Sequence, residues 1–488
     1  VATLAMLNVF VLAAGAVVVH MLPPRLARLK IPVAATVPVV PAGLVLPAAL
    51  PPGSGGSTAQ NAATAPMPTQ AGLSSLVASS LPAGEVGPGA GVLVTDAVTG
   101  KVLYSQNGYA LATPASTTKV VTAAAALAIL GPQAHFTTSV KQVTGGIVLV
   151  GGGDPTLAVN SYPPSDYPQP ATLAALAAKT AAALKAAGHE SVQLGYDASL
   201  YSGPALGPGW GTGLVTSGDV TPITSLEADQ GRLTPGGALE DNDDQTNYTA
   251  RTMDPAGMTA AAFAGLLQKD GITVTGVPVA AAAPAGAATI ARVSSPVLAS
   301  IVEQMLQESN NVIAENLARQ VAIATGQPAT FSGGASAVMA EIRKLGVSTP
   351  IGLVDGSGLS PDDGIAPVTL VRVLSAAAAD PRIRAVITGL PVAGFSGTLS
   401  TGHSVFGGIT GTARGVVRAK TGNLASVATL AGLVTDHSGR LLIFALMAPQ
   451  APVSGGLPVS AANAIDATAA GLAACGCLPG RWCLPPSK

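Results

Sequence analysis

Three short stretches carry side chains that could do chemistry together, and they follow one another in a telling order. Ser116 and Lys119 lie in Thr113-Pro114-Ala115-Ser116-Thr117-Thr118-Lys119, Ser309 and Asn311 flank Asn310, and Lys420-Thr421-Gly422 precedes Asn423. A serine hydroxyl is a weak nucleophile until a neighbouring base takes its proton, and a lysine serves once burial lowers its pKa. Three residues apart on a helix, the two share a face. Thr113 suits an N-cap and Pro114 the first helical position, so Ser116 is expected in the first turn. There its N–H lacks an intrahelical partner and can help to hold an oxyanion.

The second stretch suits a break between helices, where Ser309 and Asn311 face a cleft. The Ser309 hydroxyl can relay a proton to a leaving amine, and the Asn311 amide can bond the lysine and grip a substrate carbonyl. The third stretch ends a strand. A Lys420 ammonium beside the Thr421 hydroxyl suits a substrate that ends in a carboxylate. Gly422 lets an extended ligand lie close to the strand, and the Asn423 N–H can be a second oxyanion donor. Each stretch alone is weak: S-x-x-K also describes a core helix with a snorkelling lysine, and Ser-Asn-Asn a plain capping turn. All three in order, at a helix start, a helix break and a strand end, are rarely found by chance.

Elements to position them are legible around each stretch. Two strands, 91–96 and 101–104, flank the turn Ala97-Val98-Thr99-Gly100, and the Ala-rich run from Val120 to Leu130 reads as a buried helix. Helices at 296–307 and 312–324 border Ser309, the first with Val297, Leu298, Ile301, Val302, Met305 and Leu306 on one face. Strands at 416–420, 427–434 and 441–447 close the chain, with Asp436-His437-Ser438-Gly439 as a hairpin. About 190 residues separate Lys119 from Ser309, too many for a loop. That gap holds a strand at 146–150 entering Gly151-Gly152-Gly153-Asp154, a helix at 170–188, a strand at 191–194 and a Gly/Pro loop with Trp210. No G-x-x-x-x-G-K-[ST] or G-x-G-x-x-G pattern makes the glycines a phosphate loop. The fold class read from this is α/β (α+β), with a mixed domain inserted at 136–255 between catalytic parts at 71–135 and 256–470. Helix 259–269 and strand 272–275 are assigned to the second catalytic part.

A chain of 488 residues with 48% hydrophobic and 10% charged side chains should build about two or three folded units. At 3% aromatic, their cores must come from Ala, Val, Leu and Ile. A net charge of −1 without a basic stripe argues against a nucleic-acid partner. Residues 1–22 carry no Asp, Glu, Lys or Arg, so 1–24 reads as a membrane anchor or an uncleaved signal. Arg25, Arg28 and Lys30 then favour a cytoplasmic tail, and an extracytoplasmic orientation needs a stronger basic cluster upstream. A Pro/Gly/Ala-rich linker follows at 25–70, and 471–488 is a tail with Cys475, Cys477 and Cys483. Three thiols without a nearby histidine do not make a zinc site, and in an oxidising compartment they leave one disulfide and one free thiol. No metal or cofactor is expected.

From about Gly91 to Gln450 the chain resembles the low-molecular-mass class C penicillin-binding proteins, D-alanyl-D-alanine carboxypeptidases and endopeptidases. The resemblance rests on the three motifs. It rests also on Gly153-Asp154-Pro155-Thr156-Leu157, Asp355-Gly356-Ser357-Gly358-Leu359-Ser360 and Gly394-Phe395-Ser396-Gly397-Thr398-Leu399. It implies a serine β-lactamase/DD-peptidase-like transpeptidase fold with a large domain inserted between the first two motifs. It implies cleavage of the terminal D-Ala-D-Ala bond of peptidoglycan stem peptides, extending to D-amino-acid cross-links, and covalent inhibition by β-lactams. In that family Ser116 would be the acylated nucleophile, Lys119 its base, Ser309 and Asn311 the second motif, and Lys420, Thr421 and Gly422 the third. The protein would act outside the cytoplasm, anchored by its first segment or secreted. Asn310 stands where the family often has Asp, and Asn423 where it usually has Ser or Thr.

Rival readings remain. A class A β-lactamase adds a glutamate in an E-x-x-L-N context; between Asn311 and Lys420 only Glu315 and Glu341 occur, in neither case so placed. A catalytically silent wall-binding scaffold has no chemical need of Ser116, Lys119 and Lys420 together. Neither H-E-x-x-H nor G-x-S-x-G is present.

Overall fold

The computed structural model describes residues 64–234, 249–401, 406, 409 and 413–475. The expected anchor at 1–24 lies outside these, as do Cys477 and Cys483. Among the described residues no helix is long and apolar enough to cross a membrane. Cys475 is buried and disulfide-bonded.

The described chain opens with helix α1 (Gln70–Ser80), strands β1 (Gly91–Asp96) and β2 (Val102–Gln106), and helix α2 (Thr118–Leu130). The hairpin turn is tied by Gly100 N–H to the Asp96 carbonyl, and by Thr99 N–H and hydroxyl to the Asp96 carboxylate. Every residue of α2 from Thr118 to Leu127 is buried, and Gly131 at a φ of +84° ends it. Its Ala123 to Ala126 run leaves only methyl groups on the surface, so neighbouring helices can close in on all sides.

A second sheet follows: β3 (Thr137–Val143), β4 (Gly146–Val150), helix α3 (Leu173–Ala186), β5 (Ser191–Asp197), helix α4 (Pro255–Lys269), β6 (Thr273–Ala280) and β7 (Thr289–Ser294). Their order across the sheet is β6-β5-β4-β3-β7. β4, β5 and β6 run parallel, while β3 is antiparallel to both β4 and β7. Parallel neighbours need a crossover of a dozen or more residues, which α3 and α4 supply. Leu173, Leu176, Phe263 and Leu267 of these helices share one core with Ile147, Leu149 and Leu194 of the sheet. This pairing departs from the expected bound at 255. The helix at 259–269 and the strand at 272–275 do not return to the main sheet; they complete the second one, which runs on to Ser294. A strand laid parallel to β5 must be reached through a helix, so the two belong together.

The longer helices that follow are α5 (Leu298–Glu308), α6 (Asn311–Ala324), α7 (Phe331–Lys344) and α8 (Pro367–Ala379). Strands β8 (Val417–Leu424), β9 (Val427–Thr435) and β10 (Leu441–Ala448) and helix α9 (Val459–Ala474) come last. The main sheet is antiparallel in the order β8-β9-β10-β1-β2, so the first and last parts of the chain meet where β1 pairs with β10. Alternate residues go to opposite faces. Leu93, Leu433, Ile443 and Met447 pack towards α2, together with Ile301, Leu317, Val338 and Leu374 from α5 to α8. Val92, Val94, Leu430, Phe444 and Leu446 pack towards Leu73 and Leu76 of α1 and Ile465 and Leu472 of α9. The result is helix–sheet–helix layering with α2 in the interior and its first turn at the end of β8.

Candidate active site

Ser116 does not stand in the first turn of an α-helix. Ala115–Thr117 form one 3₁₀ turn and α2 begins at Thr118. The expected cap is also absent: the Thr113 hydroxyl reaches the Pro361 carbonyl at 3.4 Å instead. Ala115 takes a φ of +47°, a left-handed conformation that costs a non-glycine residue about 1–2 kcal/mol. Tertiary contacts impose it. The Pro114 carbonyl accepts from the Thr117 N–H (3.3 Å), the Thr117 hydroxyl (2.7 Å) and the Thr429 hydroxyl of β9 (2.7 Å). Gly358 presses so closely that a Cβ there would lie 1.9 Å from the Ala115 carbonyl oxygen.

The altered turn still brings Ser116 to Lys119. Lys119 Nζ donates to Ser116 Oγ (2.8 Å), Asn311 Oδ1 (2.6 Å) and the Ser357 carbonyl (2.9 Å). The lysine is fully buried whereas the serine is half-buried, so the hydroxyl is reachable from solvent and the amine is not. Burial pushes the Lys119 pKa down to about 7, against the opposing pull of Asp355, Glu315 and Asp363. A neutral amine is therefore well populated near pH 7. Burial, and not the charge of nearby Lys420, is what lowers it.

Ser309 occupies the break predicted for it. It ends α5 in a left-handed conformation (φ +58°), and Asn310 then caps α6 by accepting the Ile313 N–H at 3.1 Å. Asn311 begins α6, its Oδ1 on Lys119 and its Nδ2 donating to the Asp219 carbonyl at 2.9 Å. On β8, Lys420 Nζ donates to Ser309 Oγ and to the Thr421 carbonyl, both at 2.8 Å. Burial, and then the charge of Lys119, holds the Lys420 pKa well below the ordinary lysine value. Lys420 was expected to stay charged; among the described residues no carboxylate acts on it to keep it so. The Thr421 hydroxyl bonds that of Thr398 at 2.7 Å, and Asn423 is exposed at the rim.

Gly422 is held to its identity by space. A Cβ there would fall 2.1 Å from Thr429 Oγ1, 2.7 Å from the Pro114 carbonyl oxygen and 3.2 Å from Ser116 N. Gly422→Ala must push the Thr429 hydroxyl off Pro114 and move the serine turn. Since a shift of about 1 Å can cost about 10²-fold in rate, acylation of Gly422→Ala should slow by about 10- to 10²-fold. Stopped-flow acylation kinetics beside a thermal melt check this; a wild-type rate would show that the turn absorbs the methyl.

These groups open on a cavity of about 180 Å³ lined by Ser116, Ser309, Asn311, Thr421, Asn423 and, among others, Asp219, Leu214, Leu359 and Thr398. The last four were not singled out from sequence. Asp219 acts through its backbone, which carries no sequence signal, whereas Thr398 and Leu359 lie in stretches quoted only for resemblance. Glu315 does not line the cavity: its Oε1 accepts the Gly356 N–H at 2.9 Å behind Lys119. Glu341 pairs with Lys344 on α7. Among the described residues no group of three or more His, Cys, Asp or Glu is placed to hold a metal ion.

Residues 73–236 and 232–472 match the model of the D-Ala-D-Ala carboxypeptidase 3 (S13) family. The chain belongs to that family. It is thus a low-molecular-mass class C penicillin-binding protein and, by class, a serine-type D-Ala-D-Ala carboxypeptidase. Carboxypeptidase DacB of Mycolicibacterium smegmatis is 38% identical over 421 residues, covering 85% of this chain and 86% of the relative. A D-alanyl-D-alanine carboxypeptidase of Actinomadura sp. is 31% identical over 426 residues, covering 72% and 76%. Among solved structures, penicillin binding protein 4 from Haemophilus influenzae superposes with a TM-score of 0.65 at 25% identity, covering 80% of this chain and 98% of that one. The pairing of β1 with β10 brings the Ser116 turn and the K-T-G strand, which come from opposite ends of the chain, together.

Proposed function

We propose that the family's reaction runs in this chain through an acyl-enzyme on Ser116, with peptidoglycan stem peptides ending in D-Ala-D-Ala as substrates and β-lactams as covalent inhibitors. The observation that carries it is the 2.8 Å contact between Lys119 Nζ and Ser116 Oγ, with Asn311 and Ser357 taking the amine's other bonds. Neutral Lys119 accepts the hydroxyl proton as Oγ attacks the carbonyl of the penultimate D-alanine. The N–H groups of Ser116 and Asn423 face the developing oxyanion. Ser309, bonded to Lys420, gives its proton to the departing amine of the terminal D-alanine. It is reprotonated by the proton that Lys119 took from Ser116, which leaves Lys119 neutral to take a proton from the incoming water. Water then enters the half-open cavity and returns the acyl group as acid, regenerating the hydroxyl. Peptidoglycan lies outside the cytoplasmic membrane, so the chain works there; segment 1–24 is proposed as its anchor on hydropathy alone.

The β-lactamase alternative needs an added glutamate to deacylate. Neither Glu315 nor Glu341 lies at the cavity, and Glu308, which does, is outside any E-x-x-L-N context and accepts from Asn310 at 3.4 Å. The test is incubation with a stem pentapeptide and with a D-amino-acid cross-linked dimer, read by mass spectrometry. Loss of one D-alanine per pentapeptide, absent in Ser116→Ala, is expected. A folded protein that hydrolyses benzylpenicillin rapidly and leaves both peptides intact would make the chain a β-lactamase. One that does neither would be a silent scaffold.

A further inference from the structure

We infer that Asp355 is a positioning residue for Lys119: it folds the turn from Asp355 to Ser360 so that the Ser357 carbonyl meets the lysine, and it ties that turn to Trp210. This rests on the reading of Lys119 as the base. Asp355 is fully buried, and four N–H donors converge on its carboxylate. Oδ1 accepts from Ser357 N (3.0 Å) and Gly358 N (2.7 Å), Oδ2 from Trp210 Nε1 (3.0 Å) and Ser360 N (2.7 Å). An ionised carboxylate is acceptor-only with about four lone-pair sites, so the donor set fits it and would not fit an amide.

The turn so held touches the reacting groups in three places. Its Ser357 carbonyl accepts from Lys119 at 2.9 Å, and its Gly356 carbonyl accepts from the Thr122 hydroxyl at 2.7 Å, one helical turn along α2. Its Gly358 packs against the Ala115 carbonyl, beside the nucleophile. Trp210 comes from the stretch between β5 and α4, hence from the segment that builds the second sheet. It is buried, with its ring edge-on to Phe331 at 5.1 Å. A single carboxylate thus joins that segment to the base, across a polypeptide distance of 145 residues between Trp210 and Asp355.

Four charged or titratable groups face Lys119: Asp355, Glu315 and Asp363 as acids, and Lys420 as a second amine. Glu315, pushed up to about 8 by burial, and Asp363, raised by burial and by Asp355 beside it, are largely protonated at pH 7. Asp355 is first among the charges that support the Lys119 ammonium. Asn at 355 keeps one acceptor for Ser357 and Gly358 but turns an NH₂ onto two donors and removes the charge.

The experiment is the pH profile of benzylpenicillin acylation of the full chain, separating drug affinity from the acylation step. In Asp355→Asn the acylation step should slow by about 10- to 10²-fold. Its acidic limb should also move to lower pH, because Lys119 loses the charge that held its proton. Trp210→Phe keeps an aromatic ring, though a smaller one, and removes the N–H, so the step should slow by about 3- to 10-fold with the limb in place. A uniform loss at all pH values in Asp355→Asn, with the limb unmoved, would overturn the inference. If Asp355→Asn does not fold, Trp210→Phe decides, and a wild-type acylation rate there overturns the tie. Failure of the wild type itself to acylate would instead remove the reading of Ser116 and Lys119.

Discussion

The intact mass of the protein is expected to rise by one drug molecule per chain after incubation with benzylpenicillin, and by none in Ser116→Ala. The arrangement leaves little alternative as the point of attack. Ser116 Oγ is half-buried at the cavity, already within 2.8 Å of an amine whose pKa of about 7 leaves it able to take a proton. Ser309 also lines the cavity, but its hydroxyl faces Lys420, and its left-handed backbone at the end of α5 holds it as a bridge. Removing a nucleophile of this kind typically costs about 10⁶ in turnover. The adduct should be lost slowly, because neither Glu315 nor Glu341 lies at the cavity, and Glu308, which does, accepts from Asn310 at 3.4 Å and is pushed up to about 7 by burial. Peptide mapping that found the drug on Ser309, or an undiminished adduct in Ser116→Ala, would withdraw the nucleophile's assignment.

What could be read from sequence, and what could not, follows from the range over which each feature is determined. Ser309 at a helix break is a local matter: an apolar stripe with a period near 3.6 stops, and Asn310 offers a cap to the helix that follows. Strand 427–434 is local too, an apolar run before a turn. The Lys420 strand, by contrast, does not end at Lys420-Thr421-Gly422 as expected but continues to Leu424, held by residue-by-residue pairing with β9. The serine turn is different. Thr113 and Pro114 carry every local signal of an α-helical start, yet Thr429 and Gly358, both more than two hundred residues away, fix Ala115 left-handed and delay the helix to Thr118. Local propensity lost there to contacts that no short window contains. The second sheet was underestimated for a related reason. β3 and the edge strand β7 are half-polar, so their identity as strands depends on the pairing of β3 with β4 and β7, and α4 and β6 look like any helix and strand until the parallel pairing is known. Asp355 was visible only as part of a resemblance, because its task is to accept backbone and indole N–H groups.

The two buried lysines should separate cleanly when each is removed. Lys119→Ala takes away the group that receives the Ser116 proton, so acylation should fall by about 10²–10⁴-fold with every substrate and with β-lactams alike. In the wild type the same step should rise with pH through about 7, as the Lys119 ammonium gives up its proton and becomes the base. The Lys420 case turns on a missing partner. Its pKa is held down by burial and by Lys119, and its bonds go to the Ser309 hydroxyl and the Thr421 carbonyl, neither of which is charged. A substrate ending in a free carboxylate brings an opposite charge to Lys420, and so draws the proton back onto it as it binds. That makes the contact charge-assisted only for the acid. A hydrogen bond to a charged group is worth about 1.5–3 kcal/mol, or roughly 10- to 150-fold. Lys420→Ala should therefore slow reaction with a peptide acid by about that factor more than with the matched peptide amide. The measurement is the acylation rate for the acid and amide pair in both variants, with thermal melts to show that each is folded. Equal losses for acid and amide in Lys420→Ala would make the residue a partner of Ser309 in proton relay, and carboxylate recognition would have to be sought at Thr421 and Thr398.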